Sequence, residues 1–228
     1  MKLKSFGCSH IWGSDLRDCP ETPNIYQYSR LTWPALVAQH LNLEYECYAH
    51  AGVGNLYIAE HVLAEAEKEP ALFVINWTYI DRFDYINPAT NSWSTVRPGN
   101  TDRDSDLYYR SFHSEYRDKL TSLMQIKLCI DTLERKRIPF IMCNIDSLLF
   151  ETKWHTSETI IALQKSIWPH ILTFDNKNFI EYAKENGHPA SAHDHILESG
   201  HAACAEYARL HFGIDEIQPI VSVLFKGV

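Results

Sequence analysis

The segment that most constrains the fold of this chain is Ala71–Trp77, which reads A-L-F-V-I-N-W. Its apolar run is continuous rather than alternating, and such a run is typical of a parallel strand that is covered on both faces. Shorter strands are predicted at Leu3–Phe6 and Ile138–Ile145, and an edge-type strand at Glu44–Tyr48. We therefore predict a mostly parallel sheet in which Leu3–Phe6 lies next to Ala71–Trp77.

Helical segments alternate with these strands. In one, Leu123, Ile126, Ile130 and Leu133 recur at helical spacing, and in another Leu56, Ala59, Leu63 and Ala66 are expected to share a buried face. The predicted helices cover residues 33–41, 56–68, a segment ending near 136, 157–166, 178–186 and 198–211. Strands that alternate with helices predict a three-layer α/β/α sandwich of flavodoxin-like type.

Length and composition agree with one soluble domain. The 228 residues suffice for a single large core, so 1–228 is predicted as one domain with a polar insertion at about 81–110. The net charge of −8 argues against nucleic-acid binding, which needs a basic surface. No apolar run approaches the roughly 18 residues that span a bilayer, so a membrane partner is not expected.

The six cysteines are scattered and form no C-x-x-C pair. Several lie in apolar segments, a pattern that favours reduced thiols and a cytoplasmic location.

Two short blocks at opposite ends of the chain carry the residues that suggest chemistry. G-C-S-H-I-W-G ends a predicted strand on Gly7 and presents Ser9 in a tight turn, and D-H-I-L-E-S-G-H places His195 just before the last helix. A serine in such a turn is typical of a nucleophile in an α/β protein, although an ordinary strand–loop junction gives the same pattern. In a parallel sheet both loops lie at the carboxyl edge, where Ser9 and His195 can meet.

Together these blocks resemble the G-D-S-x-T-x-G-like and D-x-x-H-like motifs of the SGNH (GDSL-type) hydrolases, in the degenerate form found in bacteriophage genomes. The resemblance implies that Ser9 is the nucleophile and His195 the base of a serine esterase. Its substrate would be a small acyl ester, and an O-acetylated carbohydrate is one candidate. The alternative is a catalytically inactive binding or structural protein that has kept the fold.

The resemblance also implies an oxyanion site made by two or three donors. The backbone N–H groups of Ser9 and Gly52 are the first two. The third is open, because the family's glycine and Asn-Asp pair are missing after the central strand, which leaves Asn76 or Thr78. Asn55 is a further candidate, although its position also suits a helix N-cap.

The acid that would orient His195 departs from the family pattern. The family places it three residues before the histidine, where this chain has Ala192. Asp194 is adjacent to His195, and adjacent side chains on an extended loop point apart. The sequence therefore predicts a Ser-His dyad, or an atypical triad with an acid from elsewhere.

The C-terminal histidines suggest a metal site as a rival interpretation. His188, His193, His195, His201 and His211 lie close together in the sequence and include an H-x-H pair. The spacing from His195 to His201 is not the i, i+4 pair of a helical zinc site. We therefore predict no metal and no cofactor.

Two features bear on partners. Trp93, Tyr108, Tyr109 and Tyr116 lie in or near the polar insertion, where they either pin it to the body or form an aromatic shelf for a sugar or acyl group. The tail from Gly213 to Val228 contains I-V-S-V-L-F, which predicts an extra strand or a contact with a second copy in a homo-oligomer.

Overall fold

The computed structural model describes residues 2–19 and 27–214. Their strands are β1 Lys2–Phe6, β2 Glu44–Cys47, β3 Ala71–Trp77, β4 Phe83–Asn87, β5 Ser92–Val96 and β6 Phe140–Asn144. Four of them form one sheet in the order β2-β1-β3-β6, and every neighbouring pair is parallel. The predicted neighbours β1 and β3 are thus confirmed, with Phe6 opposite Ile75.

All seven residues of β3 are buried, as its continuous apolar run predicts. The strand β6 is shorter than the predicted Ile138–Ile145. The reason is the preceding turn, in which Arg137 adopts a left-handed conformation and the Ile138 N–H bonds back to Leu133. Ile138 therefore completes the end of a helix rather than the start of a strand.

The helices are α1 Ser9–Trp12, α2 Trp33–His40, α3 Asn55–Glu65, α4 Arg103–Ser111, α5 Glu115–Lys136, α6 Glu158–Ile167, α7 Phe179–Glu185 and α8 Glu198–His211, with short 3₁₀ turns at Ser147–Leu149 and Trp168–His170. Six of them form two packed groups, α2 with α7 and α8, and α3 with α5 and α6. These groups flank the sheet, which gives the predicted three layers.

One predicted helix face is correct, and the other is correct only for Ala59 and Ala66. Leu123, Ile126, Ile130 and Leu133 of α5 are all fully buried. In α3 the buried face is instead formed by Ile58, Ala59, Val62, Glu65 and Ala66, and Leu56 is 41% exposed. The rotation follows from the polar anchors at the two ends of α3, because Asn55 and Glu65 both bond inward.

The polar insertion at 81–110 contains β4, β5 and most of α4. The two strands pair antiparallel with each other, with Phe83 opposite Val96, and form a sheet separate from the central one.

Two further predictions concern the C-terminal tail and membrane association. The predicted C-terminal strand or subunit contact falls almost wholly on 215–228, outside the described residues. Among 2–19 and 27–214, no helix has the length and apolar character needed to cross a bilayer.

A buried ion pair lies beneath the central sheet. Lys4 of β1 is 1% exposed, and its Nζ donates to Glu65 of α3 at 2.9 Å. Burial opposes the ionisation of Glu65, but hydrogen bonds from Lys68, Lys4 and Tyr48 outweigh it and lower its pKa. This ion pair links α3 to β1, and the loss of either side chain would leave the other without its buried partner of opposite charge.

We expect Lys4→Met to lower the free energy of unfolding by about 3 kcal/mol, because Glu65 then keeps a buried charge without its buried cationic partner. Adding Glu65→Leu should restore stability to the wild-type value or above. Lys136→Met is the matched control, since its ion pair with Glu67 is exposed and should contribute at most about 1 kcal/mol. Urea unfolding measures all four proteins; a single Lys4→Met variant as stable as the control would contradict this account.

Candidate active site

The serine of the N-terminal block opens a very short helix at the carboxyl end of β1. Cys8 is the extended N-cap residue of α1, Ser9 is its first residue, and the Gly13 N–H closes the turn on Ser9 O at 2.8 Å. A Cβ at Gly7 would lie 2.6 Å from Ile11 Cγ1 and 3.2 Å from the Asn76 carbonyl oxygen. Only glycine therefore lets α1 sit this close to the end of the sheet.

The histidine of the C-terminal block is carried by a small antiparallel loop. Ala190 and Ile196 form a β-bridge, and the Ser191 N–H donates to the His195 carbonyl at 2.8 Å. This loop directs the imidazole towards α1, where Ser9 Oγ lies 2.9 Å from His195 Nε2. The structure thus brings together the two residues that the sequence paired.

The acidic partner of His195 is Asp15, which the sequence analysis did not identify. Asp15 Oδ2 lies 2.8 Å from His195 Nδ1. The residue has φ +68°, a left-handed conformation that turns the chain back towards Ser9 after α1. Asp194 points away, as expected, and pairs with Lys184 at 2.6 Å. The arrangement is a Ser-His-Asp hydrogen-bond chain, and its acid lies two residues after the block that carries the serine.

The Asp15 carboxylate is stabilised by more than the imidazole. Its Oδ2 atom also accepts from Ser191 Oγ at 2.5 Å and from His193 Nδ1 at 3.2 Å. Burial opposes ionisation, but the hydrogen bonds from Ser191, His195 and His193 outweigh it and lower the pKa of Asp15 to about 2. An ionised Asp15 accepts the Nδ1 proton of His195, so that Nε2 is left to accept the Ser9 proton.

His10 lies directly beneath this pair. Its ring meets the His195 ring edge-on with centroids 5.0 Å apart, and only 6% of the residue is exposed. Burial, together with the nearby His195 and His201, holds the pKa of His10 well below its usual range. His10 is therefore neutral next to the triad near physiological pH.

The predicted oxyanion residues lie in different surroundings, one in a loop and two with buried side chains. Gly52 lies in the loop before α3 with φ +84°, and Arg97 packs on it. The side chains of Asn76 and Thr78 are fully buried, and their polar atoms have no hydrogen-bond partner among the described residues. Neither side chain is accessible to an ester in this conformation, so their role as donors stays a prediction.

Asn55 is neither a helix N-cap nor a free donor. Gly54 is the N-cap of α3. The Asn55 amide instead donates to the Thr78 carbonyl and accepts from the Thr78 N–H at 2.8 Å. Its side chain fixes the end of β3 rather than facing a ligand.

Four of the five histidines that suggested a metal site are hydrogen-bonded to other protein groups. His201 is buried, and its Nδ1 accepts from the Trp33 N–H at 3.1 Å, while burial lowers its pKa to about 4. His188 contacts Ser199, and His193 and His195 both bond Asp15. Within 2–19 and 27–214, no three His, Cys, Asp or Glu side chains are arranged to hold an ion.

The four aromatic residues do not form a common shelf. Tyr108 is buried against Phe83, Tyr109 donates to the Asp81 carbonyl, and Tyr116 bonds Ser157. Trp93 alone of the four lines a cleft beside Gly52. Tyr108 joins the insertion to α5, because its hydroxyl accepts from Arg117. The Tyr109 bond lies within the insertion, and the Tyr116 bond lies outside it.

Comparison with known proteins identifies the fold. No family model and no curated protein matches the sequence. The chain is similar in structure to the psychrotrophic esterase EstA from Pseudoalteromonas sp., with 8% identity, a TM-score of 0.52, and coverage of 97% of this chain and 98% of that one.

It is also similar to a family two carbohydrate esterase from Clostridium thermocellum, solved with cellohexaose, at 13% identity and a TM-score of 0.53. A carbohydrate esterase family 2 enzyme from Corynascus thermopiles matches at 15% identity and a TM-score of 0.51. The matches cover 95% and 93% of this chain, but only 65% of each esterase chain. The chain therefore has the α/β fold of the SGNH hydrolases, with a parallel sheet between helices.

The lowered pKa of Asp15 makes a prediction about stability and pH. Because the pKa is about 2 in the folded protein and about 4 in an unfolded chain, ionised Asp15 stabilises the fold above pH 4, and this contribution is lost as the pH falls towards 2. Asp15→Asn should therefore be less stable than wild type near neutrality, by a margin that shrinks between pH 4 and pH 2. Denaturant unfolding across this range measures the margin; a margin independent of pH would contradict the prediction. Asp194→Asn, at an exposed carboxylate, is the control.

Asn76 allows a second prediction. Its buried amide has no hydrogen-bond partner in the described part of the chain, a state that is unfavourable compared with an apolar side chain of similar shape. We expect Asn76→Val to raise the free energy of unfolding by about 1 kcal/mol, since valine also suits the middle of a strand. Thermal unfolding tests this, and a clear loss of stability would show that the amide has a structural partner in solution.

Proposed function

We propose that this protein is a serine hydrolase that cleaves small acyl esters, with Ser9, His195 and Asp15 as its catalytic triad. The observation that carries the proposal is the continuous hydrogen-bond chain from Ser9 through His195 to Asp15, with links of 2.9 and 2.8 Å. A serine hydroxyl becomes a useful nucleophile only when a positioned base takes its proton, and this chain supplies that base and its orienting acid.

The reaction would proceed in two halves. Ser9 Oγ attacks the ester carbonyl while His195 Nε2 takes the hydroxyl proton, and Asp15 stabilises the imidazolium that forms. Collapse of the tetrahedral intermediate breaks the bond to the alcohol, which leaves with the proton from His195. Water then attacks the acyl-Ser9 ester by the same route, which releases the acid and restores the serine.

The negative oxygen of each tetrahedral intermediate needs hydrogen-bond donors. The Ser9 N–H lies in the first turn of α1, where backbone N–H groups have no partner within the helix. The Gly52 N–H is the second proposed donor. Asn76 or Thr78 would need to move its side chain into the site to act as the third, and a loss of one donor is commonly worth 10²–10³ in rate.

The acyl group is proposed to be small, with an O-acetylated carbohydrate as one substrate class, because the structural neighbours include carbohydrate esterases. The second candidate function is an inactive binding protein that has kept the fold. The buried Asn76 and Thr78 favour it, whereas the complete triad favours the enzyme. A cytoplasmic location and a bacteriophage origin stay predictions.

We expect Ser9→Ala to remove hydrolysis of p-nitrophenyl acetate almost completely and His195→Ala to do nearly the same. The double variant should lose little more than either single one, because nucleophile and base act as a unit. Asp15→Asn should lower kcat by about 10³–10⁴, since the histidine loses its orienting partner. Asp194→Asn is the matched control and should retain most of the activity, because Asp194 pairs with Lys184.

The choice between enzyme and binding protein rests on Ser9 reactivity. A fluorophosphonate probe should label the folded wild-type protein at Ser9, and labelling should disappear in Ser9→Ala and His195→Ala. Wild-type protein that is neither labelled nor active on any simple ester would favour the binding protein.

A further inference from the structure

A cleft of about 430 Å³ lies between the loop before α3 and the hairpin β4–β5. Its walls include His50, Gly52 and Tyr57 on one side and Trp93, Thr95 and Arg97 on the other. Of the groups assigned to the proposed reaction, only the Gly52 N–H borders this space.

The hairpin is fixed to the opposite wall by one buried carboxylate. Asp84 of β4 is 4% exposed, and its Oδ1 accepts from the Gly54 N–H at 2.7 Å and from Thr95 Oγ1 at 2.7 Å. Its Oδ2 accepts from the Tyr57 N–H at 2.9 Å. Arg82 adds a bond from Nη1 to the Val53 carbonyl at 2.8 Å. The cleft therefore has two walls held in register, as a preformed binding site requires.

The cleft opens beside the triad. The His50 N–H donates to the Gly7 carbonyl at 3.2 Å, and the His50 ring lies 5.7 Å from that of Trp12, which belongs to the same short helix as Ser9. Gly52 belongs both to this cleft and to the proposed oxyanion site. A substrate bound at Ser9 can therefore extend into the cleft.

The cleft contains a cation, Arg97, for which the described part of the chain supplies no acidic partner. The Arg97 guanidinium packs against Gly52, where an added Cβ would lie 2.6 Å from Nη1 and 3.1 Å from Cζ. Among the described residues Arg97 makes no salt bridge. A guanidinium presents paired N–H donors that match the two oxygens of a carboxylate.

Aromatic rings line the space next to this cation. Trp93 is partly exposed and meets Tyr57 edge-on at 5.6 Å, while Tyr57 stacks on His61 at 3.9 Å. Burial raises the pKa of Tyr57 to about 12, so it adds no negative charge. Aromatic faces of this kind offer an apolar surface to a ring that carries polar groups at its edge.

We propose that this cleft binds the alcohol part of the ester, and that this part is an acidic saccharide whose carboxylate pairs with Arg97 while its ring lies on Trp93. The proposal rests on the proposed function for the reaction itself. It makes Arg97 a specificity residue that selects O-acylated uronic acids over neutral sugars.

The test compares two matched substrates, the tri-O-acetylated methyl glycoside of glucuronic acid and the same compound with its carboxylate masked as a methyl ester. Wild-type protein should release acetate from the free acid with a kcat/KM about five- to tenfold higher, and the ratio should fall in high salt, which screens an exposed ion pair. Arg97→Gln should bring the ratio to about one, and Arg97→Lys should keep part of it.

Arg110→Gln is the matched control, because Arg110 is an exposed arginine of α4 that pairs with Asp106 outside the cleft. Its ratio should equal that of wild type. A wild-type ratio near one, or a ratio that survives in Arg97→Gln, would overturn the proposal.

A binding measurement distinguishes failure of the proposed hydrolase activity from failure of the proposed saccharide site. If wild-type protein hydrolyses neither sugar nor p-nitrophenyl acetate, calorimetric titration with sodium glucuronate and with glucose still tests the cleft. Binding of glucuronate alone that disappears in Arg97→Gln supports the acidic-saccharide site in a non-catalytic protein. Equal binding of both sugars, or of neither, overturns it.

Discussion

The candidate site depends on the Asp15 carboxylate, which joins two parts of the chain that are 180 residues apart. One oxygen accepts from Ser191, His193 and His195, so the N-terminal turn and the C-terminal loop share a single anchor. A charged acceptor makes stronger hydrogen bonds than a neutral one, and the low pKa of Asp15 shows that the ionised form is favoured here. The same carboxylate therefore fixes the loop, the ring and the tautomer of His195.

Asp84 holds the insertion in a similar way but with the opposite effect on its pKa. Its partners are two backbone N–H groups and the Thr95 hydroxyl, all neutral, and burial raises the pKa of Asp84 despite these bonds. Asp15 is less buried and one of its partners is an imidazole that gains charge during the proposed reaction. The difference indicates that Asp84 serves mainly to position the hairpin, whereas Asp15 is suited to stabilise a cation.

Much of the fold follows from patterns that can be read locally. The continuous apolar run of β3, the spacing of Leu123, Ile126, Ile130 and Leu133, and the block before α8 all predict the elements that form. The pairing of Ser9 with His195 followed because parallel strands bring their loops to one edge. The contacts that could not be predicted are single long-range pairs. No sequence spacing relates Asp15 to His195, and none relates Lys4 to Glu65.

The insertion shows the same limit. Its polar composition predicts a surface segment, but the side chain that joins it to α5 and the one that borders the cleft have the same aromatic character in sequence. Tyr108 of α4 stacks on Phe83, whereas Trp93 of β5 is turned towards Tyr57. The position of Trp93 depends on the hairpin, which Asp84 holds through bonds to Gly54 and Tyr57 that cannot be inferred from either segment alone.

The charges around His195 form a consistent set. A second protonated imidazole 5.0 Å away would oppose the positive charge that His195 acquires when it takes the Ser9 proton. The burial of His10 removes this conflict, because it disfavours protonation there, and Asp15 supplies the opposite charge on the far side of the ring. A neutral His10 therefore adds no repulsion to the cation that the proposed reaction would form at His195, and an ionised Asp15 would attract that cation.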